Sequence, residues 1–155
     1  MNLLPQLLAP LLILGAAIYM FMRRNGERAR NAPLRGEIAA RTCFETKLHR
    51  VSILGTGGFA GVRGYWVPIT GPKRLVVGTD AFMVSAPQAF REFLFTGRES
   101  SIAFARMPSR LVGRDRDWIV IKGQSNGRQV QLAITRDNLL DVWQALAGAG
   151  ATLVN

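Results

Sequence analysis

The 155 residues contain one cysteine, Cys43, and one histidine, His49. That scarcity excludes a disulfide framework and any self-contained His/Cys metal cage. No GxSxG, HExxH, CxxC or P-loop pattern occurs, so no hydrolase, metalloprotease, dithiol or phosphate-cradle signature is present. Acidic residues are few, 10 against 20 Lys+Arg, and the resulting net charge of +10 turns attention to anionic partners. Aromatics make up only 8%, but hydrophobic residues reach 48%, too many for a disordered chain. The length allows one modest globular domain and excludes a large multidomain enzyme.

Charge is missing altogether from Leu3 to Met22, LLPQLLAPLLILGAAIYMFM. A helix of that length rises about 30 Å, the thickness of a hydrocarbon core, so residues 1–22 are expected to form a transmembrane helix. Pro5 and Pro10 fall in its first half, and Gln6 suits a headgroup region. A cleaved signal peptide ending at Gly15-Ala16-Ala17 is the competing reading. It is opposed by the lack of a basic residue before the run and by the apolar continuation through Met22. Residues 23–35 form a polar, basic connector carrying Arg23, Arg24, Arg28, Arg30 and Arg35 against Glu27. By the positive-inside rule this flank stays in the cytoplasm, which puts the N-terminus outside and the remaining chain inside. The lone cysteine agrees with a reducing compartment. The same arginines suit anionic lipid headgroups, unless they serve only to fix topology.

From residue 36 to 155 the texture changes to short β-branched and aromatic runs punctuated by Gly, Pro, Asp and Asn. Candidate strands are 46–54, 64–69, 74–77, 81–85, 92–95, 101–105, 117–122 and 128–134. Gly78-Thr79-Asp80 and Ser125-Asn126-Gly127 read as hairpin turns, the second more strongly because Asn-Gly readily takes positive φ. Alternation on both sides of Asn126-Gly127 predicts a sheet with one buried face. The period then becomes helical. Thr135 is expected as N-cap, with Leu139, Leu140, Trp143, Leu146 and Ala147 on one stripe and Trp143 plugging an open mouth between two sheets.

A run of strands closed by one amphipathic C-terminal helix, ending in DWIVIKGQSNGRQVQLAITRDNLLDVWQALAGAGA, resembles the small bacterial single-pass membrane proteins with a pleckstrin-homology-like (PH-like) cytoplasmic domain. The resemblance covers about residues 45–150 and rests on element order and texture. It implies a mainly β fold, a bent β-sandwich or partial barrel of about seven strands capped by the helix, behind one N-terminal transmembrane helix.

The Gly-rich stretch Gly55, Gly57, Gly58 and Gly61 follows an apolar strand, as a dinucleotide-binding turn does, but Gly, Pro and β-formers stand where a crossover helix must run. A hairpin loop is the preferred reading. On a single strand Cys43, Glu45 and His49 would share one face, which keeps a nucleophilic dyad geometrically open, though an incidental Cys and a surface His account for them more simply. Arg106, Arg110, Arg114 and Arg116, interspersed with Asp115 and Asp117, could hold phosphate groups or pair with those aspartates as a solvated loop. Tyr65, Trp66, Lys73 and Arg74 form a smaller basic-aromatic set. No motif interleaves aromatics with base-reading donors, so nucleic acid is not an expected partner.

The expected function is therefore a non-enzymatic, membrane-anchored binding or adaptor protein of the bacterial plasma membrane, without cofactor or metal. Its basic residues Arg23, Arg24, Arg28, Arg30, Arg35, Lys73, Arg74, Arg106, Arg110, Arg114 and Arg116 would meet anionic lipids or another membrane protein. The alternative is an accessory or assembly subunit of a larger membrane complex without lipid recognition. A nucleotide-binding enzyme using residues 55–61 is the remote third.

Overall fold

The computed structural model describes residues 4–55, 65–89, 91–108 and 115–154. One helix, α1, runs Leu4–Ala40. Ten strands follow among the described residues: β1 Phe44–Leu48, β2 Arg50–Gly55, β3 Tyr65–Pro68, β4 Lys73–Val77, β5 Ala81–Ala86, β6 Arg91–Thr96, β7 Ser101–Pro108, β8 Asp115–Ser125, β9 Arg128–Thr135 and β10 Thr152–Leu153. Helix α2, Leu139–Gly148, lies between the last two. The chain divides into two compact units, Met1–Pro33 and Leu34–Asn155.

The first unit is helical, and from Ala9 to Arg30 nearly every described side chain is exposed. This corrects the expected transmembrane helix: among the described residues no helix is long and apolar enough to cross a membrane. Among the described side chains the large exposed apolar ones run from Leu11 to Met22, and Arg23 follows on the same helix. The grounds for a single-pass inner-membrane placement and for an N-out orientation fall with it. The connector expected at 23–35 is helical as well, as Glu, Arg and Ala permit. Pro33, which supplies no backbone N–H to the helix, lies where the two units divide.

The second unit is mainly β. Its strands form a four-stranded sheet in the order β1-β4-β5-β6 and a six-stranded sheet in the order β10-β7-β8-β9-β2-β3. All pairings are antiparallel except β10 with β7. The eight strands expected from the sequence are present, but the expected seven-stranded partial barrel is corrected: both sheets are open, and the strands number ten. One extra strand arises where 46–54 is broken at His49, because β1 pairs with β4 in one sheet and β2 with β9 and β3 in the other. The other is the two-residue β10.

The inward faces supply the core. Leu75, Val77, Phe82, Val84 and Phe95 of the four-stranded sheet cluster with Ile102, Ile119, Ile121, Leu132 and Ile134 of the six-stranded one, and Val142 and Leu146 of α2 join them. Each such side chain contributes about 1.5 to 3 kcal/mol by leaving water. The rings of Phe82 and Phe95 stack at 5.2 Å. Trp143 is not the plug expected from the sequence. The helix turns Val142 and Leu146 inward, while Trp143 is half-buried and lies against Phe104 with ring centroids 4.2 Å apart. The N-cap is Asn138 rather than Thr135, whose hydroxyl instead donates to the carbonyl of Asp117 at 2.9 Å.

The last turns of α1 belong to this unit. Ile38, with Leu34 beside it, packs on Val76, Ala81 and Leu94 on the outer face of the four-stranded sheet, and the Arg35 guanidinium pairs with the Glu92 carboxylate.

Both expected turns are found. Gly78 N–H donates to Ala81 O at 2.8 Å, closing the β4–β5 connection. Asn126 (φ 56°) and Gly127 (φ 71°) form a two-residue turn between paired Ser125 and Arg128. A methyl added at Gly127 meets nothing within 4 Å, so Gly127→Ala isolates the backbone cost. A loss of about 1 kcal/mol is expected from the positive φ. The urea midpoint reads it, and an unshifted midpoint would contradict the turn geometry.

Candidate functional site

The basic residues singled out in the sequence fall into separate groups. In the first unit Arg23, Arg28 and Arg30 are exposed on α1, directly after the exposed apolar residues Leu11 to Met22. Arg23 Nε lies 3.4 Å from Glu27 Oε1, an i,i+4 pair in solvent, and Arg30 Nε donates to Gly26 O at 3.3 Å. Arg24 is a residue of the same helix. Among the described residues Arg28 has no carboxylate partner.

In the second unit Arg35 is committed to Glu92, so its role is to hold the end of α1 against the sheet. Lys73 and Arg74 lie on β4, and Arg74 Nη1 is 3.1 Å from Glu45 Oε1 of the neighbouring strand. Tyr65 and Trp66 are on β3 of the other sheet, so the expected basic-aromatic set is divided between the two sheets. Trp66 packs with Trp118, Val120, Ala133 and Ala105 in a small apolar cluster, where the indole N–H of Trp118 is buried without an acceptor among the described residues. Arg106 is exposed on β7 and is paired in register with Asp117 of β8, and Arg116 also lies on β8. Arg110 and Arg114 lie outside the described residues.

The catalytic constellation is not assembled. Cys43 precedes β1, and its thiol donates to Arg41 O at 3.4 Å. Glu45 pairs with Arg74. His49 sits at the break between β1 and β2, its Nδ1 3.4 Å from Asp137 Oδ1, with its backbone N–H donating to Thr135 O. One strand would have put all three on a common face, but the change of sheet at His49 interrupts the alternation. Among the described residues no group of three or more His, Cys, Asp or Glu side chains could hold a metal ion.

Residues 56–61 of the Gly-rich stretch are outside the described residues. Its flanks settle the local topology, however. Gly55 is paired with Tyr65 in an antiparallel ladder, so the stretch joins two neighbouring antiparallel strands. A dinucleotide-binding turn joins a strand to the helix of a parallel crossover, which this connection is not.

Two features had no distinct signal in the sequence. An open groove of about 490 Å³ runs between α2 and the start of β1, lined by Cys43, Phe44, Thr79, Asp141, Gln144 and Ala145 among others. Its one carboxylate, Asp141, accepts a hydrogen bond from Asn138 Nδ2 at 2.7 Å. The other is the aromatic pair Phe104–Trp143 at the edge of the six-stranded sheet, where Phe104 is 52% exposed. Both require distant segments to meet, and neither makes a motif in the linear order.

No protein-family model matches the chain, and no curated protein matches it significantly in sequence.

Proposed function

We propose that this chain is a non-enzymatic binding protein that attaches to an anionic lipid surface through the first part of α1. The observation that carries this reading is the succession on one helix of the exposed apolar residues Leu11 to Met22 and the exposed arginines Arg23, Arg28 and Arg30. Leu11, Leu12, Ile13 and Leu14 are consecutive and all exposed, so apolar side chains leave the helix in every direction. Water is a poor surrounding for such a helix. The boundary between headgroups and acyl chains covers apolar residues without shape complementarity and offers phosphates to the arginines. The net charge of +10 favours the encounter.

Full-length protein is expected to co-sediment with vesicles containing anionic lipid, to bind zwitterionic vesicles more weakly and to be released as salt rises. Replacing Arg23, Arg28 and Arg30 together by glutamine is expected to cost about 3 kcal/mol of binding, from about 1 kcal/mol for each arginine at the surface. Equal binding to neutral vesicles, or binding indifferent to the three substitutions, would overturn the reading. Co-purification of a stoichiometric protein partner without any affinity for vesicles would favour an accessory subunit instead.

A further inference from the structure

The exposed apolar stretch of α1 ends on two methionines. Met20 and Met22 alternate with Tyr19 and Phe21, and all four side chains are exposed, the two thioethers at 63% and 67%. Four consecutive residues complete about one turn of a helix, so these four surround α1 and the methionines supply half of the girdle. Arg23 follows directly. This turn is therefore the border between the apolar side chains and the arginines.

From Leu11 to Met22 no other residue contains sulfur, and the exposed neighbours Leu11 to Leu14 and Ile18 are pure hydrocarbon. The thioethers are the chemically soft points of this surface. Oxidation to the sulfoxide turns a flexible apolar side chain into a polar one, and it is reversible. Met83 offers an internal comparison, because it is half-buried beside Ile38, Val76, Ala81 and Leu94.

We propose that Met20 and Met22 form a reversible oxidation site through which a hydroperoxide loosens the attachment of α1 to an anionic lipid surface. The inference rests on the lipid reading given above and adds its regulation. A sulfur lone pair attacks one peroxide oxygen and the O–O bond breaks; that oxygen stays on sulfur, and the other leaves with the protons as water. Sulfur loses two electrons and the peroxide gains them. In the return step a dithiol is oxidised to a disulfide while the sulfoxide oxygen departs as water, a reaction that methionine sulfoxide reductases catalyse.

Position decides the consequence. Sulfoxides at 20 and 22 make half of the last apolar turn polar, so the polar border moves back along α1 by about 5 Å, one helical pitch. Less apolar surface then leaves the water on binding. The arginines keep their charge, so the oxidised protein is expected to bind more weakly but with the same dependence on salt.

The test uses full-length protein and vesicles of equal parts phosphatidylglycerol and phosphatidylcholine, before and after dilute hydrogen peroxide, with sulfoxides located by fragment mass spectrometry. Met20 and Met22 are expected to oxidise before Met83. Vesicle affinity should then fall roughly tenfold and return on treatment with a methionine sulfoxide reductase and a dithiol. The double variant Met20→Leu, Met22→Leu keeps an apolar girdle and should bind as the native chain does, with or without peroxide, although it retains Cys43 and Met83. Undiminished binding by protein that carries both sulfoxides would overturn the inference and leave the lipid reading standing. An equal loss in the double variant would also overturn it, by assigning the effect to another residue. Untreated protein without affinity for the vesicles would instead remove the lipid reading, and the regulation with it.

Discussion

Phe95→Ala is expected to destabilise the second unit by about 4 kcal/mol, within the range for removing a buried aromatic ring. Phe95 is fully buried on β6, stacks on Phe82 of β5, and lies under Gly123 of β8, where a Cβ would come within 3.1 Å of its ring. The ring thus fills space that belongs to both sheets, and neither sheet can collapse into the hole without disturbing the other. The nearby Leu94 N–H donates to Ser125 Oγ at 3.0 Å, so β6 is held to the β8–β9 turn as well. A loss of that size corresponds to a fall of roughly 15 °C in thermal midpoint for a domain of this size. A midpoint lowered by only a few degrees would show that the two sheets share less of their core than the structure implies.

Gly97→Ala is the second large effect, expected to cost about 3 kcal/mol, at the upper end for inserting one carbon into a packed site. Gly97 opens the short turn between β6 and β7, and its N–H donates to Asp80 O at 2.8 Å. An added Cβ would lie 2.6 Å from the carbonyl carbon of Ala149, closer still to its oxygen, and 3.3 Å from Asp80 O. These neighbours are backbone atoms, which cannot rotate aside as a side-chain tip would. Relief requires moving the end of α2 or the β4–β5 turn. Amide exchange is expected to quicken first in α2 and β10, since Thr152 N–H hangs on Ser100 O just beyond this turn. A wild-type denaturation midpoint would refute the close approach.

The β part of the molecule was legible because its signals are local. Strands β4 to β9 coincide with the β-branched runs, and Asn126-Gly127 specifies its turn through two consecutive positive φ values. What stayed hidden depends on distant partners. Nothing in Thr46 to Leu54 marks a break at His49, which comes from one half of the run bonding to β4 and the other to β9. The stripe read on α2 placed Leu140 and Trp143 inward, but the sheets meet the side bearing Leu139, Val142 and Leu146, a rotation that the apolar pattern alone did not fix. The helix at 23–40 was masked by Gly26, Pro33 and Gly36, residues of low propensity, and only two apolar side chains, Leu34 and Ile38, tie its end to the sheet. The candidate site was legible as a list of arginines, but not in its partition. Which of them are occupied by Glu27, Glu45 and Glu92 is decided by cross-strand register and helix docking.

That docking sets where the molecule can be cut. A fragment beginning at residue 41, just after the helix, would keep every strand and yet uncover Val76, Ala81 and Leu94 together, leaving Glu92 without its guanidinium. Such a piece would present a greasy, negatively marked face and tend to clump. Trimming from the front should therefore stop short of Leu34, and the last two turns of α1 serve the sandwich as a lid on its outer wall.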